Sequence, residues 1–478
     1  MPAILFYKWK FSVLINHKLK IINIQLILPC FLCSKQLGMK PRLLLAAAAL
    51  VITFSGCNIP GNYFPHPGNH AIQYPDKAET TNPAILATVN GVNLYNGGFG
   101  SSMARDPFDE SVFYLLTDRG PNVTGVIPNS IVLATPNFHP QIGKFRLKGN
   151  KLVLESVLTL KNKQGVELNG LPNPAGAGAT GETAYDLAGN ILPTSEDGVD
   201  SEGFTLAPDG TFWISDEYGP HLIHFDYNGK TIERINPFSA GSRKLPLVLA
   251  RRRPNRGMEG LTITPDGKTL VGIMQFPLYN PSAAAIAGSL AIRIVTFDIK
   301  SGNTKQYVYL MENANLQAVS EITAINNNDS LVLERGGEFP TEANRNSIIK
   351  RVYKISLKGA TDISDPANAA GGKLFGGKTV EELKDAATLA ANGIVPVTKT
   401  LVSDLMTDIN PVFPHDKAEG LAIINSKLIA VCNDDDFGIT GSNGIYQQKI
   451  LPATNAVDKN IIYFIKLEKP LDQTGGHY

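Results

Sequence analysis

Four segments of this chain each set a glutamate at the start of one apolar run and a polar or acidic residue at the end of the next. Glu202 precedes Gly203-Phe204, and Asp216-Glu217 close the run that follows. Glu259 is matched in the same way with Gln275, Glu321 with Glu334, and Glu419 with Asn433-Asp434. A fifth, divergent segment ends on Asp118. Between the paired runs stand Pro208-Asp209-Gly210, Pro265-Asp266-Gly267 and Asn326-Asn327-Asn328-Asp329, residue types that tolerate positive φ in tight turns. Such segments are β-hairpins, and an antiparallel hairpin brings its two open ends together. If the hairpins share an axis, their acids form one ring.

Crowded carboxylates either raise one another's pKa or require a cation. An all-oxygen set suits Ca²⁺, which takes about six to eight oxygen ligands. Calcium is therefore the expected ion. Asp118, Glu202, Asp216, Glu259, Glu321, Glu334, Glu419 and Asp434 are its candidate ligands. Arg119, Arg256, Arg335 and His221 adjoin these acids in sequence. Arginines beside a metal-binding ring suit an anion held next to the ion. The expected catalytic set is Glu202, Asp216, Glu217 and Glu259, as cation holders or base, with Arg256 and Arg335 on the anion. The competing reading is structural: Glu-Gly is a repeated packing device, and each arginine pairs with an acid between neighbouring units. The run Arg251-Arg252-Arg253 reads as a loop rather than a polyanion grip, and Trp213, in mid-strand, as core.

Further apolar strands follow the hairpins at 221–235, 290–310, 348–357 and 461–467. Four-stranded units in series imply a propeller, whose circular closure protects the sheet edges. Forty-four glycines, 31 prolines and only 18% charged residues fit many short strands joined by turns. The expected fold class is all-β, a single β-propeller with a short helical insert, over about 79–470. The insert is marked by the capping box Thr379-Val380-Glu381-Glu382. Five units are visible and their spacing is uneven, with a Gly/Pro/Asn-rich stretch at 161–200 that has room for strands. Six blades are expected, the last completed by a strand near 84–90.

The start of the chain reads as an address. From Met39, two basic residues precede an apolar run over 43–54, and small residues lead to Cys57. That is a signal-peptide layout, too short to span the ~30 Å hydrocarbon core of a bilayer comfortably. Phe54-Ser55-Gly56-Cys57 resembles a bacterial lipobox, so Cys57 is the expected lipidation site and 57–78 a tether rich in Pro, Gly and Asn. Residues 1–38 read as an over-extended start, with a membrane segment as the alternative. Cys30 and Cys33 have no second pair to complete a metal site. After Cys57 only Cys432 remains, so the mature chain has no internal disulfide. Formal net charge is +1, but 1–56 carry seven bases and no acid, which leaves −6 for the rest. A mildly acidic domain is a poor binder of nucleic acid. The chain is expected to be a monomer of the bacterial cell envelope, touching the membrane only through its lipid.

Three stretches together resemble the phytase-like family, also described as having the esterase-like activity of phytase. The first is Gly198-Val199-Asp200-Ser201-Glu202-Gly203-Phe204, with Trp213-Ile214-Ser215-Asp216-Glu217-Tyr218-Gly219-Pro220 after it. The second is Asn255-Arg256-Gly257-Met258-Glu259-Gly260-Leu261 with Gln275-Phe276-Pro277-Leu278. The third is Glu419-Gly420-Leu421 with Asn433-Asp434-Asp435-Asp436-Phe437-Gly438. The likeness spans roughly 85–468. It implies an extracytoplasmic propeller with a hydrolase-type site. The Asp-rich calcium signature of propeller phytases does not occur here, so phytate hydrolysis is not carried over.

Three functions compete. A metal-assisted phosphoester or ester hydrolase would act on a small anionic or ester substrate through the acidic ring. No Gly-x-Ser-x-Gly elbow supports a serine esterase. A lactonase-like propeller would need fewer arginines at the rim. A non-catalytic binding module would expose aromatic rather than acidic residues there.

Overall fold

The computed structural model describes residues 6–11, 24–29, 72–179, 181–314 and 317–473. Two compact units divide the chain, 1–69 and 70–478. In the first, Phe6–Phe11 pairs antiparallel with Ile24–Pro29. Cys57 and the expected lipobox lie outside the described residues.

In the second unit, five four-stranded sheets surround one axis. The first blade is Ser102–Arg105, Val112–Leu116, Gln141–Lys148 and Lys151–Thr159. The second is Ser201–Leu206, Phe212–Asp216, His221–Phe225 and Thr231–Ile235. Met258–Ile263, Thr269–Met274, Ala291–Asp298 and Thr304–Leu310 make the third. Ala318–Ala324, Asp329–Arg335, Lys350–Ser356 and Thr398–Asp404 make the fourth. The fifth joins Leu421–Asn425, Leu428–Cys432 and Ile461–Lys466 to Lys77–Thr80, a strand from the other end of the domain. Lys77–Thr80 runs antiparallel to Ile461–Lys466 and parallel to Lys151–Thr159, so it fastens the fifth blade to the first.

The innermost strands touch around the whole ring, and a repeated side-chain-to-backbone bond records it. Phe204 N–H donates to Ser102 Oγ (3.1 Å), Ile263 N–H to Thr205 Oγ1 (3.2 Å) and Ala324 N–H to Thr262 Oγ1 (3.0 Å). Thr323 Oγ1 donates to the Leu421 carbonyl (2.7 Å), and Gly420 N–H to the Gly100 carbonyl closes the circle (3.2 Å). This contact explains the glycine of each Glu-Gly step. A Cβ on Gly203 would lie 2.5 Å from Leu261 N, and one on Gly260 2.6 Å from Ile322 N. The fourth blade departs from the pattern: Glu321 falls at the glycine's register, opposite Leu333 as Gly260 is opposite Ile273. Its side chain fills the axis, taking hydrogen bonds from Ser102 Oγ, Leu261 N–H (3.1 Å) and Ile322 N–H (2.9 Å).

The all-β single propeller with a helical insert is as the sequence indicates. Where six blades were expected, the described residues close the ring with five. Residues 161–200 form no blade. They give Thr183–Tyr185 to a side sheet with Ser130–Leu133 and Asn122–Thr124. The strand expected near 84–90, Ile85–Val89, pairs with Val92–Tyr95 in its own hairpin, and Lys77–Thr80 takes the place foreseen for it. These hairpins, the side sheet and Ile439–Ser442/Ile445–Gln448 share a small apolar cluster including Val123, Phe138, Phe437 and Ile439. The insert begins as expected, with Thr379 capping Val380–Leu383 in a full capping box. Glu381 on that helix pairs with Arg293 at 2.6 Å, both buried. Trp213 is core, stacked on His224.

Candidate functional site

At one mouth of the axis a cleft of about 890 Å³ is lined by the hairpin ends. Glu202, Glu259 and Glu419 enter it from the strand starts, and Asp118, Glu217, Gln275, Arg335 and Asp434 from the far ends. The hairpin ends thus share one cleft, but three of the expected residues, Asp216, Glu321 and Glu334, do not line it. Neighbouring residues in a strand point to opposite sides, so of two adjacent polar residues only one can face the mouth. In the second blade Glu217 faces it and Asp216 turns inward. Asp216 accepts from Asp200 N–H (2.7 Å) and Tyr218 N–H (3.1 Å) and contacts His221 Nδ1 and Arg234 (3.7 Å). Burial works to raise its pKa, yet His221 and Arg234 hold it below the ordinary value. In the fourth blade Arg335 faces the mouth, while Glu334 meets Tyr309 Oη (2.6 Å), Glu312 N–H (2.7 Å) and Lys399 Nζ (2.8 Å). Glu321 is the axial plug described above, and Ser320, which accepts from Arg335 Nε at 3.0 Å, stands beside it.

Sequence reasoning missed Asp200, Glu182, Asp416 and Lys417, all on the same cleft, which Asp436 of the acidic run 434–436 also lines. Asp200 and Lys417 each stand two positions before a strand-start glutamate, so the residues flanking the repeat carried the signal.

The cleft's charges divide into a neutralised side and an uncompensated one, with Asp200 at the boundary of the two. On the first, Arg119 Nη1 meets Glu182 (2.8 Å) and Asp200 (3.2 Å), and Arg335 Nη2 meets Glu419 (2.5 Å). Lys417 Nζ bridges Asp434 (3.0 Å) and Asp436 (2.5 Å), and Lys449 holds Asp436 (2.6 Å) and Asp416 (2.8 Å). Burial would raise the Asp436 carboxyl, but these two lysines hold it well below the ordinary value. On the other side, Asp200, Glu202 and Glu217 bring carboxylate oxygens within 4.8 Å of one another. Glu259 adjoins them, its Oε1 accepting from Gln275 Nε2 at 2.5 Å. Arg335 is 4.0 Å from Glu259 and committed to Glu419. Among the described residues, Glu217 Oε1, Glu259 Oε2 and Gln275 Oε1 are buried and, with both carboxylates ionised, have no hydrogen-bond partner; a proton on Glu259 pairs it with Glu217.

The proton affinities follow. Burial, then Glu259, Asp200 and Glu217, push Glu202 well above the carboxylate range. Burial, then Glu217 and Glu419, do the same to Glu259, and burial lifts Asp200 despite Arg119. Burial brings Asp118 to about 6, against Gly120 N–H and Lys417. A divalent cation among Asp200, Glu202, Glu217 and Glu259 would remove the repulsion and engage the partnerless oxygens, so the donor set fits a hard, oxygen-binding ion.

Comparison with known proteins follows the same outline. The family model described as "Phytase-like: Esterase-like activity of phytase" matches residues 95–437. An uncharacterized secreted protein of Arthroderma benhamiae is 30% identical over 283 residues, 46% of this chain and 52% of that protein. The chain thus spans about half the length of this curated relative. Among solved structures, a calcium-binding regucalcin from Agrobacterium tumefaciens has a TM-score of 0.34 at 9% identity, covering 84% of this chain and 98% of its own. The β-propeller domain of Myceliophteria thermophila Cps50 has a TM-score of 0.29 at 9% identity, covering 80% and 99%. Likeness at that level says nothing of the site.

Proposed function

The chain belongs to the phytase-like family, and on that footing we propose that it is an exported, metal-assisted hydrolase of phosphoesters or carboxylic esters. The observation that carries the reading is the set of buried, partnerless oxygens on Glu217, Glu259 and Gln275 beside the Asp200–Glu202–Glu217 cluster. Buried polar atoms are seldom left unsatisfied, and one that is calls for an explanation such as an ion. Bound Ca²⁺ would polarise the ester oxygen and lower the pKa of a nearby water. Asp200, Glu202 and Glu217 would hold the ion. With the ion's charge beside it, Glu259, its Oε1 fixed by Gln275, would give up the proton it keeps in the metal-free protein, and its Oε2 would take that of the attacking water. Arg119, Arg335 and Lys417 keep the remaining acids in place through their ion pairs.

Export is proposed from the signal-like stretch ending at Cys57, with lipid on that cysteine as the anchor; the secreted relative supports export. The protein acts as a monomer on a small substrate and does not bind nucleic acid, consistent with its acidic balance.

The test is a panel of 4-nitrophenyl acetate, 4-nitrophenyl phosphate and a γ-lactone, assayed with calcium and with EDTA. Turnover should be abolished by EDTA, restored by calcium and lost in Glu202→Gln. Turnover indifferent to EDTA, or none on any substrate, refutes the proposal. Hydrolysis of the lactone alone would favour the lactonase-like alternative.

A further inference from the structure

Arg256 lies on the acidic cleft, yet among the described residues no carboxylate is within ion-pair distance of it. A guanidinium stays charged at every accessible pH, so something in the fold keeps it from the neighbouring acids. Two features do so. Its Nη1 donates to the carbonyl of Asn255, and its guanidinium stands 5.6 Å from the Phe276 ring centroid. Arg253 shares that ring at 4.5 Å and also lies 5.4 Å from Tyr279. Residues 253–256 form a tight turn, closed by Arg256 N–H to the Arg253 carbonyl (3.2 Å), with Asn255 at φ 50°.

This turn is pinned against the carboxylate cluster. A Cβ on Gly257 would lie 2.1 Å from the Glu217 carbonyl oxygen, so only glycine allows that approach. Arg252 Nε donates to the same carbonyl at 3.0 Å. Asn255 Oδ1, also at the cleft, is buried without a partner among the described residues. The turn therefore presents a guanidinium with no carboxylate partner beside the Asp200–Glu202–Glu217 cluster. A guanidinium braced on an aromatic face loses little freedom when it binds, and its planar fork matches carboxylate, phosphate or sulfate.

Resting on the reading of the cleft as an ester-hydrolysing site, we propose that Arg256 is its anion contact and Arg253 a positioning residue. The substrate is then an ester carrying an anionic group apart from the bond that is cleaved. Neutral esters fill the reaction centre and leave Arg256 unused.

The comparison is between 4-nitrophenyl butyrate and mono(4-nitrophenyl) succinate, which share a leaving group and acyl length and differ by a carboxylate in place of the terminal methyl. Wild type, with calcium, should prefer the succinate. Arg256→Gln should lower that preference about 10–100-fold, the range of one charge-assisted hydrogen bond, and Arg256→Lys should recover part of it. Arg253→Gln should raise KM for the succinate more than it lowers kcat. An unchanged preference in Arg256→Gln, at an unchanged melting temperature, overturns the assignment. If neither ester is turned over, the hydrolase reading fails by itself, and inorganic phosphate titrated by calorimetry then decides on the grip. Weaker phosphate binding in Arg256→Gln supports it; equal binding, or none in wild type, overturns it.

Discussion

Replacing Glu259 by glutamine should stabilise the metal-free protein and weaken its response to calcium. Burial, then Glu217 and Glu419, raise the Glu259 pKa well above 4.5, so above that pH the folded chain keeps a proton that the unfolded chain releases. An acid shifted in this direction costs stability as pH rises, by about 1.4 kcal/mol per pH unit until its folded pKa is reached. Glutamine, which cannot ionise, removes this penalty. Unfolding a domain of some 400 residues, as 70–478 is, has an entropy of about 0.8 kcal/mol/K, so the variant's advantage should grow by about 2 °C in Tm for each pH unit over which Glu259 keeps its proton. At pH 5 the advantage should be smaller than at pH 6.5. His221, whose pKa burial and Arg234 lower to about 4, acts in the opposite sense, but it is common to both proteins and cancels in the difference. Calcium at 100 times its Kd should raise the wild-type Tm by about 3 °C, from about 2.7 kcal/mol of binding, and the variant's by much less. Differential scanning calorimetry at pH 5.0 and 6.5, in EDTA and in calcium, reads all four cases. A Glu259→Gln protein less stable than wild type in EDTA at pH 6.5 would refute the reasoning, since Glu259 would then be the anionic partner of Arg335, 4.0 Å away.

Other perturbations test the rest of the architecture. Lys417→Met removes a cation from Asp434 and Asp436 and should cost about 2 kcal/mol by urea titration at pH 7, a deficit that fades as pH falls below 3.8 and Asp436 protonates in both states. Glu321→Ala should cost about 3 kcal/mol, by leaving Leu261 N–H without its partner and opening the axis, whereas Glu321→Gln should cost less; equal and negligible losses would show that Glu321 does not lock the blades. Cys57→Ser should abolish incorporation of labelled lipid and release the protein from membranes, and unchanged membrane association would point to an anchor within 1–38.

What the sequence made legible was whatever repeats. Hairpins with turn residues at fixed offsets gave the innermost strands, and a shared axis followed from their number. The blade count was harder, because one strand of the fifth blade comes from the opposite end of the domain. Lys77–Thr80 has four residues and no hairpin partner in sequence, so nothing local marks it as the latch. The stretch 161–200 offered room for strands, but most of it is irregular, with Thr183–Tyr185 its single strand among the described residues. At the site, alternation along a strand decided what pairing of repeats could not. Asp216-Glu217 and Glu334-Arg335 sit at equivalent ends, and only the second member of each reaches the mouth. Aligning Glu321 with Glu202 and Glu259 was off by one residue. A bulge follows the strand start in each of these hairpins, so the register is common to all three, and Ser320 rather than Glu321 stands where the others have Glu202 and Glu259.

That slip bears on why the ring of acids is uneven. In the fourth blade the position that elsewhere holds a mouth-facing glutamate is Ser320, and the opposite hairpin end supplies Arg335 rather than an acid. The fourth blade therefore brings a cation to the ring where its neighbours bring anions. Arg335 reaches Glu419 on the fifth blade, Lys417 serves Asp434 and Asp436, and Arg119 serves Glu182 and Asp200. The acids left without enough positive charge are those of the second and third blades, where the partnerless oxygens of Glu217 and Glu259 also lie. A ring built only as a packing device would have no reason to neutralise its acids so unequally. Concentrating the deficit on two adjacent blades, with Arg256 held beside it on Phe276, is the arrangement expected if a cation and an anionic substrate complete the cleft.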